Sequence, residues 1–295
     1  MPSLKDVKIK IGAVKKTQQI TKAMNMVATS RLRGAQTNMD RFRPYAAKFS
    51  EVLGGLAGKA DAEASPLLVP RSIVNNIHII LCTSDRGLCG GFNVSLVEAA
   101  EKLIAEKSHP GVSISLTAFG KKGRDWAKKR KIDLKDEYIG VVGTKFGFNL
   151  AINAGRKLID RFLDEYYDEV YIVYAEFFSM GKQIPTIKQL LPIPPIEMVE
   201  EESPEAEYLP EHISEPSPGE LLDELLPRNI YVQLFSSLLE TSTSEHAARM
   251  TAMDNATKAC KDMLENLTLV YNKARQAAIT SELMDIVGGA EALRG

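Results

Sequence analysis

The decapeptide Ser84-Asp85-Arg86-Gly87-Leu88-Cys89-Gly90-Gly91-Phe92-Asn93 comes nearest to carrying chemistry. It follows an apolar, β-branched run and precedes a helical pattern, a position where backbone N–H groups often cradle phosphates. Its glycines match neither G-x-G-x-x-G nor the P-loop, which needs Lys followed by Ser or Thr. No second strand end offers a carboxylate for Mg²⁺. Two readings stand: a nucleotide-binding α/β enzyme working from residues 84–93, or a tight glycine turn that packs a helix onto a sheet. Cys89 is the nucleophile candidate, and it would need a histidine base. The four histidines are His78 in the apolar run, His109, His212 in an acidic stretch and His246, and none lies in an activating motif. There is no H-x-x-x-H, C-x-x-C or paired-carboxylate arrangement. The sequence therefore predicts no catalytic residue, no metal and no cofactor.

Long elements flank this turn. Residues 3–56 read as one helix, with apolar residues at alternating spacings of three and four: Leu4, Val7, Ile11 and Val14, then Ala28, Leu32, Ala35, Met39, Phe42, Ala46, Phe49, Leu53 and Leu56. That spacing is a heptad seam. Gln18, Thr21 and Asn25 interrupt it, and the stripe is expected to move over to Ile20, Met24 and Val27 there. Pro44 removes a backbone donor and is expected to loosen or kink the helix. A second helical pattern opens at Ser217-Pro218-Gly219-Glu220, a capping-box-like start. It is expected to break at Pro227 and to end at Gly288 and Gly289. Its seam reads Met253, Ala256, Cys260, Met263, Leu267, Val270, Ala274 and Ala277. Neither stripe is stable in water without a partner, so the two ends are predicted to pair as an antiparallel coiled coil.

Between them, strands are predicted at 76–83, 113–119, 169–177 and 185–191, the last at an edge. Helices are predicted at 94–106, 123–130 and 150–166. The alternation implies a Rossmann-like α/β domain with a largely parallel sheet. The expected organisation is a coiled-coil helix over 1–57, an α/β domain over 75–196, an acidic, proline-rich loop over 197–218 and a second coiled-coil helix over 219–295.

A net charge of −1 conceals opposite ends. Residues 1–48 hold eleven Lys and Arg against two acids, whereas residues 197–224 hold eleven acids and no Lys or Arg. The basic stretch implies an acidic neighbour or simply a solvated helix face. Nucleic acid is disfavoured, because the basic helix has no aromatic before Phe42. No run approaches the roughly 18 apolar residues that span a bilayer, so direct membrane insertion is not expected. Three cysteines without ligand spacing indicate a reducing compartment. The start, Met-Pro-Ser-Leu-Lys-Asp, has no apolar signal stretch and no transit-peptide character.

Three blocks carry a family resemblance. Gln19-Ile20-Thr21-Lys22-Ala23-Met24-Asn25-Met26-Val27-Ala28, together with Arg43-Pro44-Tyr45, resembles the opening helix of F-type ATP synthase gamma subunits. Residues 84–93 resemble that family's central-domain signature. The stretch from Tyr271 to Ala290, containing Ala274-Arg275-Gln276-Ala277-Ala278-Ile279-Thr280-Ser281-Glu282-Leu283-Met284, is similar nearly residue for residue. The resemblance implies a non-catalytic rotor shaft that couples ion-driven turning of the c-ring to the beta catalytic sites. Its implied partners are the alpha and beta subunits, the epsilon subunit and the c-ring. It implies that Arg275, Gln276, Thr280 and Glu282 form a catch on beta, and that Lys22, Met24, Arg31, Asp85, Arg86 and Cys89 face a beta lever. It also implies that Glu207, Tyr208 and Glu211 sit in a foot on the c-ring. The chloroplast-type cysteine insertion is absent. The implied location is peripheral, on the cytoplasmic face of a bacterial inner membrane.

Overall fold

A computed structural model describes residues 4–57, 65–194 and 218–293. In chain order the elements are α1 (Leu4–Ala57), β1 (Asn76–Cys82), α2 (Phe92–Lys107), β2 (Ser113–Phe119), α3 (Lys121–Arg130), β3 (Asp133–Tyr138), α4 (Phe148–Leu163), β4 (Glu169–Ser179), β5 (Lys182–Leu191) and α5 (Pro218–Ala292). They fall into two compact units: Met1–Ala28 with Arg249–Gly295, and Thr29–Ala248.

The larger unit is built on one sheet of order β3-β2-β1-β4-β5. β1 runs parallel to both β2 and β4, β3 is parallel to β2, and β5 returns antiparallel to β4. β1 is apolar almost throughout because both its faces are covered. Ile77, Ile79 and Leu81 face α2, which contributes Phe92, Leu96, Ala100 and Leu103. Ile80 and Cys82 face α4 and the first turns of α5, where Leu222, Leu226, Ile230, Leu234 and Leu238 are buried with Leu53 and Leu56 of α1. α4 and α5 pass closely enough that a Cβ on Gly155 would lie 2.5 Å from Cδ1 of Tyr231.

β3 has no counterpart among the predicted strands. Four of its six residues are charged, and its side chains alternate between exposed and half-buried. It is an edge strand, and the charges that hide it in sequence also protect that edge from pairing with another chain. Its inward acid, Asp136, is held by Lys157 at 3.1 Å and Arg161 at 2.6 Å.

The smaller unit is an antiparallel helix pair. The α1 seam keeps its period through the polar positions: Thr21 is 8% exposed, while Ile20 and Val27 are 59% and 55% exposed. Of the expected move to Ile20, Met24 and Val27, only Met24 is half-buried, so the stripe as a whole does not move. That stripe is offset by one position from Thr21, Asn25 and Ala28, which turns it by about 100°, off the face that meets α5. The polar residues instead find partners on α5. Thr257 Oγ1 donates to Thr21 Oγ1 at 2.8 Å, and Asn25 Nδ2 donates to the Met250 carbonyl at 2.9 Å. On α5, Met253, Ala256, Cys260, Leu267 and Ala274 lie on the seam as expected, but Met263, Val270 and Ala277 point outward and Leu264, Tyr271 and Ala278 replace them. The spacings of three and four can be taken in either order from the same anchors, and the bulkier Leu264 and Tyr271 take the inward places.

Neither expected break in α5 is present: the helix runs through Pro227 and through Gly288 and Gly289. A helix-interior proline costs about 3 kcal/mol. Burial of Leu222, Leu226 and Ile230 on either side, at about 1.5–3 kcal/mol each, outweighs it. The two glycines lower helix propensity by about 1 kcal/mol each but keep their backbone donors. α1 likewise continues through Pro44.

Candidate functional site

At the carboxyl end of β1 the turn of residues 84–93 is tied to itself. The Ser84 amide donates to Asn93 Oδ1 at 3.0 Å, and Asn93 Nδ2 donates to Ser84 Oγ at 2.8 Å. Ser84 Oγ donates in turn to the Arg86 carbonyl at 2.6 Å. Asn93 Nδ2 also lies 3.1 Å from Cys89 Sγ. Leu88 and Gly90 adopt φ of 66° and 60°, so the chain reverses through the left-handed region twice within three residues. Cys89 is 2% exposed and sits inside the turn.

Asp85 ties the turn to two neighbouring segments. Its Oδ1 accepts from the Lys121 amide, at the first turn of α3, and its Oδ2 accepts from the Gly140 amide, each at 2.9 Å. A helix N-terminus attracts negative charge. Here the protein's own carboxylate caps the start of α3, while α2, the helix that follows the turn, begins at Phe92 without a side-chain cap. The Gly120 residue that opens α3 has φ of 100°, and a Cβ on it would run into the Thr83 carbonyl. Strand, turn and helix are therefore in close backbone contact.

The crevice beside β1 is filled as well. In doubly wound sheets, ligands bind where strand order reverses, beyond the carboxyl ends of the strands. Here that point lies between β1 and β4, and α5 crosses it. The Ala175 amide, two residues past the last β1–β4 pair, donates to Thr241 Oγ1 at 3.3 Å, and Ser244 Oγ donates to the Ala175 carbonyl at 3.2 Å. The Gly143 amide donates to Ser242 Oγ at 3.1 Å. Glu245 and His246 are buried beside Gly143, with Glu245 Oε2 2.9 Å from His246 Nδ1. The run of Ser and Thr in α5 had no assigned role in the sequence; its signal is six consecutive polar residues, 241–246, in a helix with no exposed face there.

The remaining chemical candidates are inert in their surroundings. His78 is fully buried on β1, with Nδ1 2.8 Å from Ser115 Oγ and Nε2 2.9 Å from Thr117 Oγ1. Its ring stacks on Tyr167 at 4.2 Å. Burial first, and then the Arg161 guanidinium, lower its pKa to about 3. Burial also pushes the Cys82 thiol up. Among the described residues, no group of three or more His, Cys, Asp or Glu could hold a metal ion, and no helix is long and apolar enough to cross a membrane.

The expected contact residues separate by environment. Arg275, Gln276, Thr280 and Glu282 are all exposed on α5, with the Thr280 hydroxyl donating to the Gln276 carbonyl at 2.9 Å. Beyond them Leu283, Met284, Ile286 and Val287 are exposed too. Lys22 and Arg31 are exposed, Met24 is half-buried, Asp85 is half-buried and Arg86 is exposed. Cys89 stands apart, because its side chain supports the turn from within. Glu207, Tyr208 and Glu211 lie outside the described residues, as does the acidic loop around them.

The chain thus combines a five-stranded α/β unit with an antiparallel helix pair whose α5 end is exposed and apolar. A family profile described as ATP synthase matches residues 3–293. The chain is 62% identical over 298 residues to the ATP synthase gamma chain of Desulfosudis oleivorans, covering 100% of both chains. It is 55% identical over 296 residues to that of Nitratidesulfovibrio vulgaris strain Miyazaki F, again covering 100% of both. Among solved structures it resembles a chain of the rotor of Euglena gracilis mitochondrial ATP synthase, with a TM-score of 0.65 at 17% identity, covering 94% of this chain and 98% of that one. The chain belongs to the ATP synthase gamma chain family.

Proposed function

We propose that this chain is the central rotor shaft of an F-type ATP synthase, a non-catalytic subunit that turns with the c-ring and drives the beta sites through successive states. The carrying observation is the smaller unit. There α1 and α5 pair through a hydrogen-bonded seam, and α5 continues past Ala278 with every described side chain from Ile279 onward exposed. An apolar helix end left bare needs a surrounding sleeve, and the alpha and beta subunits supply it. Residues 1–57 and 219–295 are the shaft, 75–196 the α/β domain, and 197–218 the foot toward the c-ring and epsilon subunit, with Glu207, Tyr208 and Glu211 in it. Arg275, Gln276, Thr280 and Glu282 form the catch on beta; the guanidinium fork of Arg275 suits a carboxylate. Lys22, Met24, Arg31, Asp85 and Arg86 face the beta lever, with Cys89 holding the turn beneath Arg86. The assembly places the chain peripherally, on the cytoplasmic face of the bacterial inner membrane.

The crevice covered by α5 supports a subunit without catalysis of its own. The test is co-purification of alpha and beta with this chain, followed by ATP-driven ion pumping of the reconstituted complex. Arg275→Ala with Gln276→Ala is expected to reduce assembly or pumping while leaving the isolated fold intact. Unchanged pumping would remove the catch, and failure to recover alpha and beta would remove the shaft. Stoichiometric ATP binding by the isolated chain, lost on Gly90→Val, would restore the enzyme reading.

A further inference from the structure

We propose that Glu240 of α5 binds a proton in the folded chain, and that this proton helps fasten the outer part of the β4–β5 hairpin to α5. The hairpin outruns its sheet. β1 pairs with β4 only as far as Val173, whereas β4 and β5 stay paired out to Ser179 and Lys182. The stretch of β4 from Tyr174 to Ser179, about 20 Å of strand, therefore lies beyond β1. Along the edge that β1 leaves, α5 supplies the partners. Thr241 and Ser244 hold Ala175, and Glu240 faces the Phe177 amide.

Glu240 differs from those hydroxyls in bringing a carboxylate. Its Oε2 is buried and has no hydrogen-bond partner among the described residues. The groups around it do not suit an anion. From β4 come Glu176, whose Oε2 accepts from Thr186 at 3.1 Å, and the half-buried Tyr174. β5 brings Lys188, and α1 brings Arg43, which also lies 3.8 Å from Asp40. A buried oxygen without a partner costs far more as part of a charged group than as part of a neutral one. Burial first, and then Glu176, raise the pKa of Glu240 above the ordinary 4.5. Arg43, the Phe177 amide and Lys188 act the other way without cancelling them. Closing the hairpin onto α5 thus takes up a proton that the open hairpin releases to solvent. The contribution is whole below pH 4.5 and is lost as pH rises through the value of the folded chain.

The device belongs to the larger unit alone and is independent of the rotor reading. Hydrogen exchange of the full chain, read by mass spectrometry on peptides covering residues 174–187 from about pH 5 to about pH 8, gives the opening constant once the intrinsic rate at each pH is divided out. In the parent, opening increases with pH and then levels off, by about tenfold for each unit through which Glu240 is raised. Glu240→Gln keeps the shape of the neutral acid and removes the titration. Its opening constant is the same across the range and lies below the parent's at the alkaline end. Glu176→Gln removes the neighbouring negative charge and makes the parent's rise smaller. Tyr174, Lys188 and Arg43 stay in every chain compared, so the differences isolate the carboxylates. A pH-independent opening constant in the parent overturns the proposal, as does a rise that persists in Glu240→Gln. Loss of the fold in Glu240→Gln overturns it too, because an amide is a poor substitute only for a charged carboxylate.

Discussion

Replacing His78 by glutamine should reverse the order of stability between acid and neutral pH. In the native chain the imidazole is buried between the Ser115 and Thr117 hydroxyls and stays neutral down to about pH 3. In the unfolded chain it titrates near 6.5. Below pH 6.5 the unfolded state binds a proton that the native state refuses, so the native state loses ground as pH falls, at about 1.4 kcal/mol per pH unit. Stability is intact above 6.5, and by pH 4.5 the histidine alone has removed roughly 3 kcal/mol. The charged and polar groups facing the ring, Arg161, Asp136, Lys135, Asp133 and the Tyr167 face, are the same in both chains and cancel in the comparison. Glutamine keeps a donor and an acceptor but loses the stack on Tyr167, at a pH-independent cost of about 2 kcal/mol. The two stability curves should therefore cross near about pH 5, with the variant the more stable below it. Urea unfolding of both full-length chains, followed by circular dichroism at half-unit steps from pH 7.5 to 4.5, measures this. Parallel curves over that range would refute a buried neutral His78.

Two further substitutions test how the α/β unit is held together. Gly155→Ala should cost about 1–3 kcal/mol, because its methyl meets the Tyr231 ring and forces α4 from α5. Adding Tyr231→Leu should recover part of that loss, and fully additive costs would show that the two helices do not meet there. Asp85→Asn keeps one acceptor of two and should cost about 1–2 kcal/mol. Hydrogen exchange at the Lys121 and Gly140 amides should accelerate, and unchanged protection at both would end the capping role.

The parts of the fold that show in sequence are those where burial and periodicity agree. Apolar β1 is legible because helices cover both its faces, and the seam of α1 is legible because its spacing persists. β3 is hidden because an edge strand needs only one inward face, and Asp136 spends even that on Lys157 and Arg161. The α5 seam is ambiguous in sequence at Met263, Val270 and Ala277, where spacing alone does not say which neighbour turns inward. Thr21 and Asn25 read as a break in the stripe because their partners, Thr257 and Met250, lie more than two hundred residues away. At residues 84–93, composition does not show that Asp85 ties the turn to Lys121 and Gly140, because those partners lie on segments far along the chain. The exposed group from Arg275 to Glu282 gives no signal of burial or hydrogen bonding, so its role is legible through the family resemblance.

The stitching of Thr241 and Ser244 to Ala175 bears on how the chain is made. The backbone groups of Ala175 are synthesised some seventy residues before the hydroxyls that satisfy them, and Leu222 through Leu238 arrive equally late. A nascent chain stopped short of residue 218 has its five strands but neither the lid over Ile80 and Ile172 nor partners for Ala175. The α/β unit thus becomes complete only during the last stage of translation, when the same helix that seals it is also extending toward the chain's far end.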